Sequence, residues 1–215
     1  MARKINPKIT KNTPLPYKLY CFVCEDEKSM QHYLQGIKDR FDGKKIVIQT
    51  EKAPKGSDAK HVEQRADEKQ KKLKGVKDSF PNGYVVVSCF DKDANKLADI
   101  KNIMSKVARH SDRAVIYNNP CYEYWLLLHT KQTSRGFTSS DQCCHETMKA
   151  INSHYHQNFE DLDKFKKAKN IFDIVGKDLP KAIQNAKSLN FSNDDLDGTY
   201  TNAHLVLEEI IKMAE

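Results

Sequence analysis

The chain has 215 residues, 36 Lys and Arg against 29 Asp and Glu, 39% hydrophobic residues and a mean hydropathy of -0.73. These values suit one globular domain with a modest elaboration and exclude a membrane-spanning protein. The longest apolar run, Trp125 to Leu128 with its aromatic neighbours, is far shorter than the roughly 18 residues a bilayer span needs. The basic, polar start, Met1 to Tyr20, has no apolar core or small-residue cleavage signal, which argues against secretion, so the six cysteines are expected as reduced cytoplasmic thiols.

The net charge of +7 is unevenly placed. Residues 1–18 hold five Lys/Arg and no acid, and residues 38–77 carry thirteen Lys/Arg against seven acids, while the stretches after residue 77 are balanced or slightly acidic. A skew of this kind fits attraction to a polyanion such as RNA or DNA. It equally fits a flexible basic tail over 1–18 beside a solvated helix.

Taken in chain order, Leu19 to Cys24 (LYCFVC) predicts a first strand, and Met30, Tyr33, Leu34, Ile37 and Phe41 fall at helical spacing behind it. Ile46 to Gln49 predicts a second strand, followed by a Pro/Gly-containing loop and a Lys/Glu/Gln-rich helix from Asp58 to Lys74. The turn Pro81-Asn82-Gly83 precedes Tyr84 to Phe90 (YVVVSCF), the strongest strand signal in the chain. Ile100, Ile103, Met104 and Val107 mark the next helix, and Arg113 to Tyr117 (RAVIY) a fourth strand. Near-continuous apolar strands alternating with helices predict an α/β domain over residues 19–130, with a parallel sheet of about four strands sandwiched by helices. Strand signals stop after residue 120. Helical faces at Cys144, Met148, Ile151 and Tyr155, at Leu179, Ile183, Ala186 and Leu189, and at Leu205 to Ile211 with Thr201 or Asn202 as cap predict a C-terminal helical extension over 131–215 packed on that domain. No Walker-type G-x4-G-K-[ST] loop occurs, so the chain is not expected to hydrolyse nucleoside triphosphates through a P-loop.

In a parallel α/β sheet the functional crevice lies beyond the carboxyl ends of the strands. Strand one runs into Glu25-Asp26-Glu27-Lys28, strand three into Asp91-Lys92-Asp93, and strand four into Asn118-Asn119-Pro120-Cys121-Tyr122-Glu123. In an extended segment Asp91 and Asp93 leave the backbone on the same side, as two carboxylates holding one cation do, with Glu25 approaching from the neighbouring strand. Hard oxygen ligands without nearby imidazole or thiolate favour Mg2+ or Mn2+ over Zn2+. With substrate phosphate as a further ligand, such ions support phosphodiester displacement. Glu27 and Glu123 are further candidate acids. Lys28 and Lys92 either contact phosphate or relieve repulsion among the acids. The alternative for each acid is an ordinary helix cap or solvated loop, Asp26 capping the helix near Ser29 being one case. Cys21 and Cys24 form a CxxC inside a strand and read as buried thiols, and His129 as a satisfied helix-end histidine. Cys143, Cys144 and His145 have a metal-like composition, but adjacent helical residues diverge.

At these residues the sequence resembles the RloB-like (AbiL-type) family, Toprim-related proteins of bacterial anti-phage abortive-infection loci. The matching strings are V-C-E-D-E-K-S (Val23 to Ser29), F-D-K-D (Phe90 to Asp93), N-P-C-Y-E-Y-W-L-L-L-H (Asn119 to His129) and T-N-A-H-L-V (Thr201 to Val206). Three departures stand out: Asp26 where Gly is usual, Met30 where an acid is common and Asn95 where His often follows the DxD segment. The resemblance implies a Toprim-like fold, divalent metal on Glu25, Asp91 and Asp93, nucleic-acid cleavage as the activity, and a neighbouring AAA or ABC-type ATPase as partner. A homodimer is a possible assembly. Two other readings stay open: a non-catalytic subunit that binds nucleic acid or an ATPase, and a receiver-like phosphoacceptor domain. The latter is disfavoured because no Lys follows a recognisable fifth strand.

Overall fold

The computed structural model describes residues 17–25, 29–54, 58–75, 80–190 and 196–214. Asp26, Glu27, Lys28 and most of the basic N-terminal segment therefore lie outside the described residues.

Five strands form one sheet in the order β2-β1-β3-β4-β5, with β1 spanning Lys18–Cys24, β2 Ile46–Lys52, β3 Tyr84–Asp91, β4 Arg113–Asn119 and β5 Tyr200–Thr201. Lys18, assigned to the tail by its charge, is thus the first residue of β1. Pairing is parallel between β1 and β2, β1 and β3, and β3 and β4, and antiparallel between β4 and β5. The expected four-stranded parallel sheet is present, and strand structure does return after residue 120. The signal for β5 was absent from local periodicity because it is two residues long and defined by its partner across the sheet.

The strands bury both faces, so their pleat sorts side chains into two cores. On one face Leu19, Cys21 and Val23 of β1 meet α2 (Ala59–Lys74) and α3 (Leu97–Val107). On the other, Tyr20, Phe22 and Cys24 meet α1 (Ser29–Arg40) and almost everything that follows β4: α4 (Glu123–Leu127), α5 (Ser140–Tyr155), α6 (Leu162–Lys166), α7 (Ile171–Val175), α8 (Leu179–Ser188) and α9 (Ala203–Ala214). Cys21 and Cys24 consequently face opposite cores, and all six cysteines are buried and free.

Local chemistry places the helices as the sequence suggests. Asp58 caps α2 by accepting from the His61 N–H at 3.0 Å, and Ser139 caps α5 through Gln142 N–H at 3.2 Å. Gly36 is required where α1 crosses α7, because a Cβ there would fall 2.3 Å from Phe172 Cβ. Asn202 does not cap α9 with its side chain. Its Oδ1 accepts from Tyr117 N–H at 2.8 Å and its Nδ2 donates to Val115 C=O at 3.0 Å, so the amide acts as a surrogate strand along the edge of β4. Thr201 Oγ1 takes up the Ala203 N–H at 3.3 Å instead.

His129 is fully buried, with one ring nitrogen 2.9 Å from Tyr33 Oη and the other 3.1 Å from Trp125 C=O. Burial pulls its pKa down to about 4, so it is a neutral, satisfied core histidine. No described helix is long and apolar enough to cross a membrane.

Candidate functional site

The carboxyl ends of β1, β3 and β4 open into one cavity of about 500 Å³. Glu25, Asp91, Asp93 and Glu123 all line it, four expected acids brought together from three separate segments, and Asp141 in the first turn of α5 joins them as a fifth. Glu27 and Lys28 lie outside the described residues. Lys92 does not line the cavity: its ammonium donates to Asn95 C=O at 2.8 Å, closing the turn after β3.

The backbone around Asp91 departs from the extended segment expected of the D-x-D string. Asp91 is the last residue of β3, paired with Asn118. Lys92 N–H continues the ladder to Asn118 C=O at 2.8 Å, and Asn95 N–H then folds back on Lys92 C=O at 2.7 Å. Asp93 sits inside this turn with φ of +31°, a left-handed conformation that Asp tolerates better than most side chains. The turn, and not strand alternation, brings Asp93 to the same cavity as Asp91. Asn95 holds it from behind, donating to Asp91 C=O at 2.9 Å and accepting the Ala59 N–H at 2.9 Å, which ties the acidic turn to the start of α2.

Asp91 is positioned through both oxygens. Asn118 Nδ2 donates to Oδ1 at 3.0 Å and Tyr122 N–H to Oδ2 at 3.1 Å. Asn118 is itself oriented by Thr201 Oγ1–H, which donates to its Oδ1 at 2.8 Å. A relay therefore runs from β5 through β4 to the carboxylate, and its two polar members, Asn118 and Thr201, are fully buried. Burial and then the Glu123 charge push the Asp91 carboxyl well above the usual carboxylate range, with Glu25 adding to the effect and the two hydrogen bonds opposing it.

Glu123 begins α4, 5% exposed, and accepts a 2.7 Å hydrogen bond from Ser29 Oγ at the start of α1. Its own C=O accepts from Thr147 Oγ1 on α5 at 3.1 Å. Lys166, from the end of α6, is the only cation among the described residues lining the cavity. Burial would lower its pKa, but Cys144 and Glu123 beside it hold it above the ordinary value. Neither Lys166 nor Cys144 was singled out for this site, since tertiary packing alone carries them here from the C-terminal half. One premise of the hard-ligand argument is overturned: Cys24, Cys89 and Cys121 line the same cavity, so thiols lie beside the carboxylates. Of the neighbouring residues Cys143, Cys144 and His145, the two cysteines turn into the core and His145 outward, where its ring bonds Asp141 C=O.

The basic stretch 38–77 is partly neutralised. Arg65 pairs with Glu51 and Glu68, Lys69 with Glu51, and Lys60 with Asp99.

The family model for RloB-like proteins matches residues 20–210. The chain belongs to the RloB-like family. Neither the curated proteins nor the solved structures yield a match. Membership is consistent with a role in abortive infection. In this RloB-like chain the strings that carry the resemblance converge: Glu25 and Ser29 from the first, Asp91 and Asp93 from the second, and Cys121, Tyr122 and Glu123 from the third line the cavity. The fourth, beginning at Thr201, reaches it through Asn118.

Proposed function

We propose that this RloB-like protein is a divalent-metal-dependent nuclease of Toprim type, the effector of an abortive-infection system under the control of a partner ATPase. The observation that carries the reading is the convergence of Glu25, Asp91, Asp93 and Glu123 on one cavity, with Asp91 raised by burial and then by its acidic neighbours. A cluster that repels itself in this way fits a cation better than it fits solvent. Glu25, Asp91 and Asp93 would hold Mg2+ or Mn2+, which on binding supplies an activated water and charge stabilisation for in-line phosphodiester hydrolysis. The chain's own residues do the rest. Asn118 and the Tyr122 N–H fix the Asp91 rotamer, Asn95 fixes the turn that presents Asp93, and Ser29 anchors Glu123. Lys166, beside Glu123, offers a charge-assisted contact to a substrate phosphate. The basic N-terminal third of the sequence supports RNA or DNA as the polyanion.

The test is a cleavage screen of tRNA, other RNA and DNA with Mg2+ or Mn2+, with and without a candidate partner ATPase. The double variant Asp91→Ala, Asp93→Ala is expected to lose cleavage and cell toxicity while keeping its circular dichroism. Cleavage retained by that variant would overturn the assignment of the site, and none by the wild type on any substrate would leave the chain as a non-catalytic subunit.

A further inference from the structure

Beside the carboxylate cluster lies a second donor set of different chemistry. Cys121 follows β4 and the cis Asn119–Pro120 bond, Glu123 opens α4, and Cys144 comes from the second turn of α5. One ligand atom from each lies within 4.8 Å of the others, and all three residues are buried. The two sulfur atoms are 3.7 Å apart. A tetrahedral ion with bonds of about 2.3 Å to sulfur sets its two thiolates about 3.8 Å apart, so the pair already stands at the edge length of such a site.

We infer that Cys121, Cys144 and Glu123 form a three-ligand zinc site whose fourth position opens onto the cavity. Soft sulfur ligands select Zn2+ over Mg2+ or Mn2+, which separates this centre from the carboxylate one although Glu123 belongs to both walls. Charge closes as well: two thiolates and a carboxylate around one divalent ion leave a single negative charge, and the Lys166 ammonium, influenced by both Cys144 and Glu123, balances it. Binding replaces two S–H protons with one Zn2+, and the protons leave to solvent. Cys121 and Glu123 line the cavity, which gives the ion access from water. Cys144 sits behind them on α5, so the ion would clamp α5 to the start of α4. The nuclease reading is not needed for this site.

The experiment uses the full chain, metal-free and held reduced by a phosphine, titrated with Co2+ as an optical stand-in for Zn2+. The expected result is a one-to-one sulfur-to-cobalt charge-transfer absorption with tetrahedral visible bands, removed by one equivalent of Zn2+. Cys121→Ser and Cys144→Ser each abolish it, Glu123→Gln weakens binding by about tenfold or more, and Cys21→Ser, in the core on the other face of the sheet, leaves it intact. A carboxylate-only centre gives no charge transfer, so failure here is distinct from failure of the nuclease assignment. Should the serine variants not fold, release of two protons per Zn2+ from the wild type decides. No charge transfer in the folded wild type, a band that survives the double serine variant, or no proton release overturns the site. So does a Cys121–Cys144 disulfide found by mass under the same reducing conditions.

Discussion

Two acidic clusters flank β3, and they differ in whether the fold neutralises them. Under α2 and α3, Glu63 and Asp67 meet the almost fully buried Arg113, which donates to Glu63 at 2.7 Å and also bonds Asp67, with Lys106 joining both acids and Ser88 Oγ donating to Glu63 at 2.7 Å. At the carboxyl edge of the same sheet, Glu25, Asp91, Asp93 and Glu123 share a cavity whose single described cation is Lys166. The contrast shows in the carboxyls themselves. Asp67 is held below the usual range by Lys106 and Arg113 against the opposing effect of burial, whereas Asp91 is raised by burial and by Glu123. A cluster with its counter-ions built in reads as structure. One without them reads as a place kept for something that binds.

The largest test of that contrast is Arg113→Met. It strands Glu63 in the core with only Lys106 and Ser88, and unfolding in urea is expected to show a loss of about 3–5 kcal/mol at unchanged slope. A loss below about 1 kcal/mol would mean the network carries little. Asp91→Asn should act in the opposite way. Stability of the metal-free protein changes by less than about 1 kcal/mol, because the repulsion relieved offsets the one hydrogen bond that the amide nitrogen cannot accept, while metal-dependent cleavage falls by more than about 100-fold, beyond what the loss of a mere supporting contact costs. Destabilisation on the scale of Arg113→Met would place Asp91 among the structural acids.

A finer distinction is the sign of the pH dependence without metal. Asp67, lowered in the fold, lends stability that is present above its unfolded pKa of about 3.9 and is lost as pH falls through the lower folded value. Asp91, raised in the fold, lends stability that is present below about 3.9 and is lost as pH climbs through the higher folded value. Asp67→Asn should therefore flatten the acid limb of a stability profile and Asp91→Asn the limb above it. Matching limbs would remove the distinction. The smallest effect is expected from Lys106→Met. Its side chain is 46% exposed, so melting should report a cost of about 1 kcal/mol or less.

Much of this is legible in the sequence. The β-branched run of β3, the alternation of strands with amphipathic helices, and the acids that follow β1, β3 and β4 are local signals, and each survives in the fold. What escaped is non-local. β5 exists only as a partner to Asn118 and Asn119, and α6 and α7 are five residues each, too short for a periodic pattern. Lys166 and Cys144 join the site because α5 and α6 pack against α4 and α1. Asp93 reaches the cavity by a turn, for which Asn95 four residues past Asp91 was the available cue. The inward face of α5 was readable from Cys144, Met148 and Ile151, but nothing in the sequence said that it would meet Cys121.

The unequal covering of the sheet bears on how the chain comes to be folded. The α2 and α3 face draws all its core residues but Leu196 and Tyr200 from segments that leave the ribosome early, whereas the opposite face has only α1 early and waits for α4 to α9, and the β4 edge waits for Asn202. At roughly 5–20 residues per second, the face that carries Tyr20, Phe22, Val85, Val87 and Ile116 has only α1 to cover it for several seconds after the last long strand has emerged. A nascent chain halted near residue 130 is expected to bind a hydrophobic dye and to be cut readily by protease, and both signals should vanish once residue 214 is free. On that timetable no functional edge exists until Thr201 has emerged, since the relay that orients Asp91 begins there.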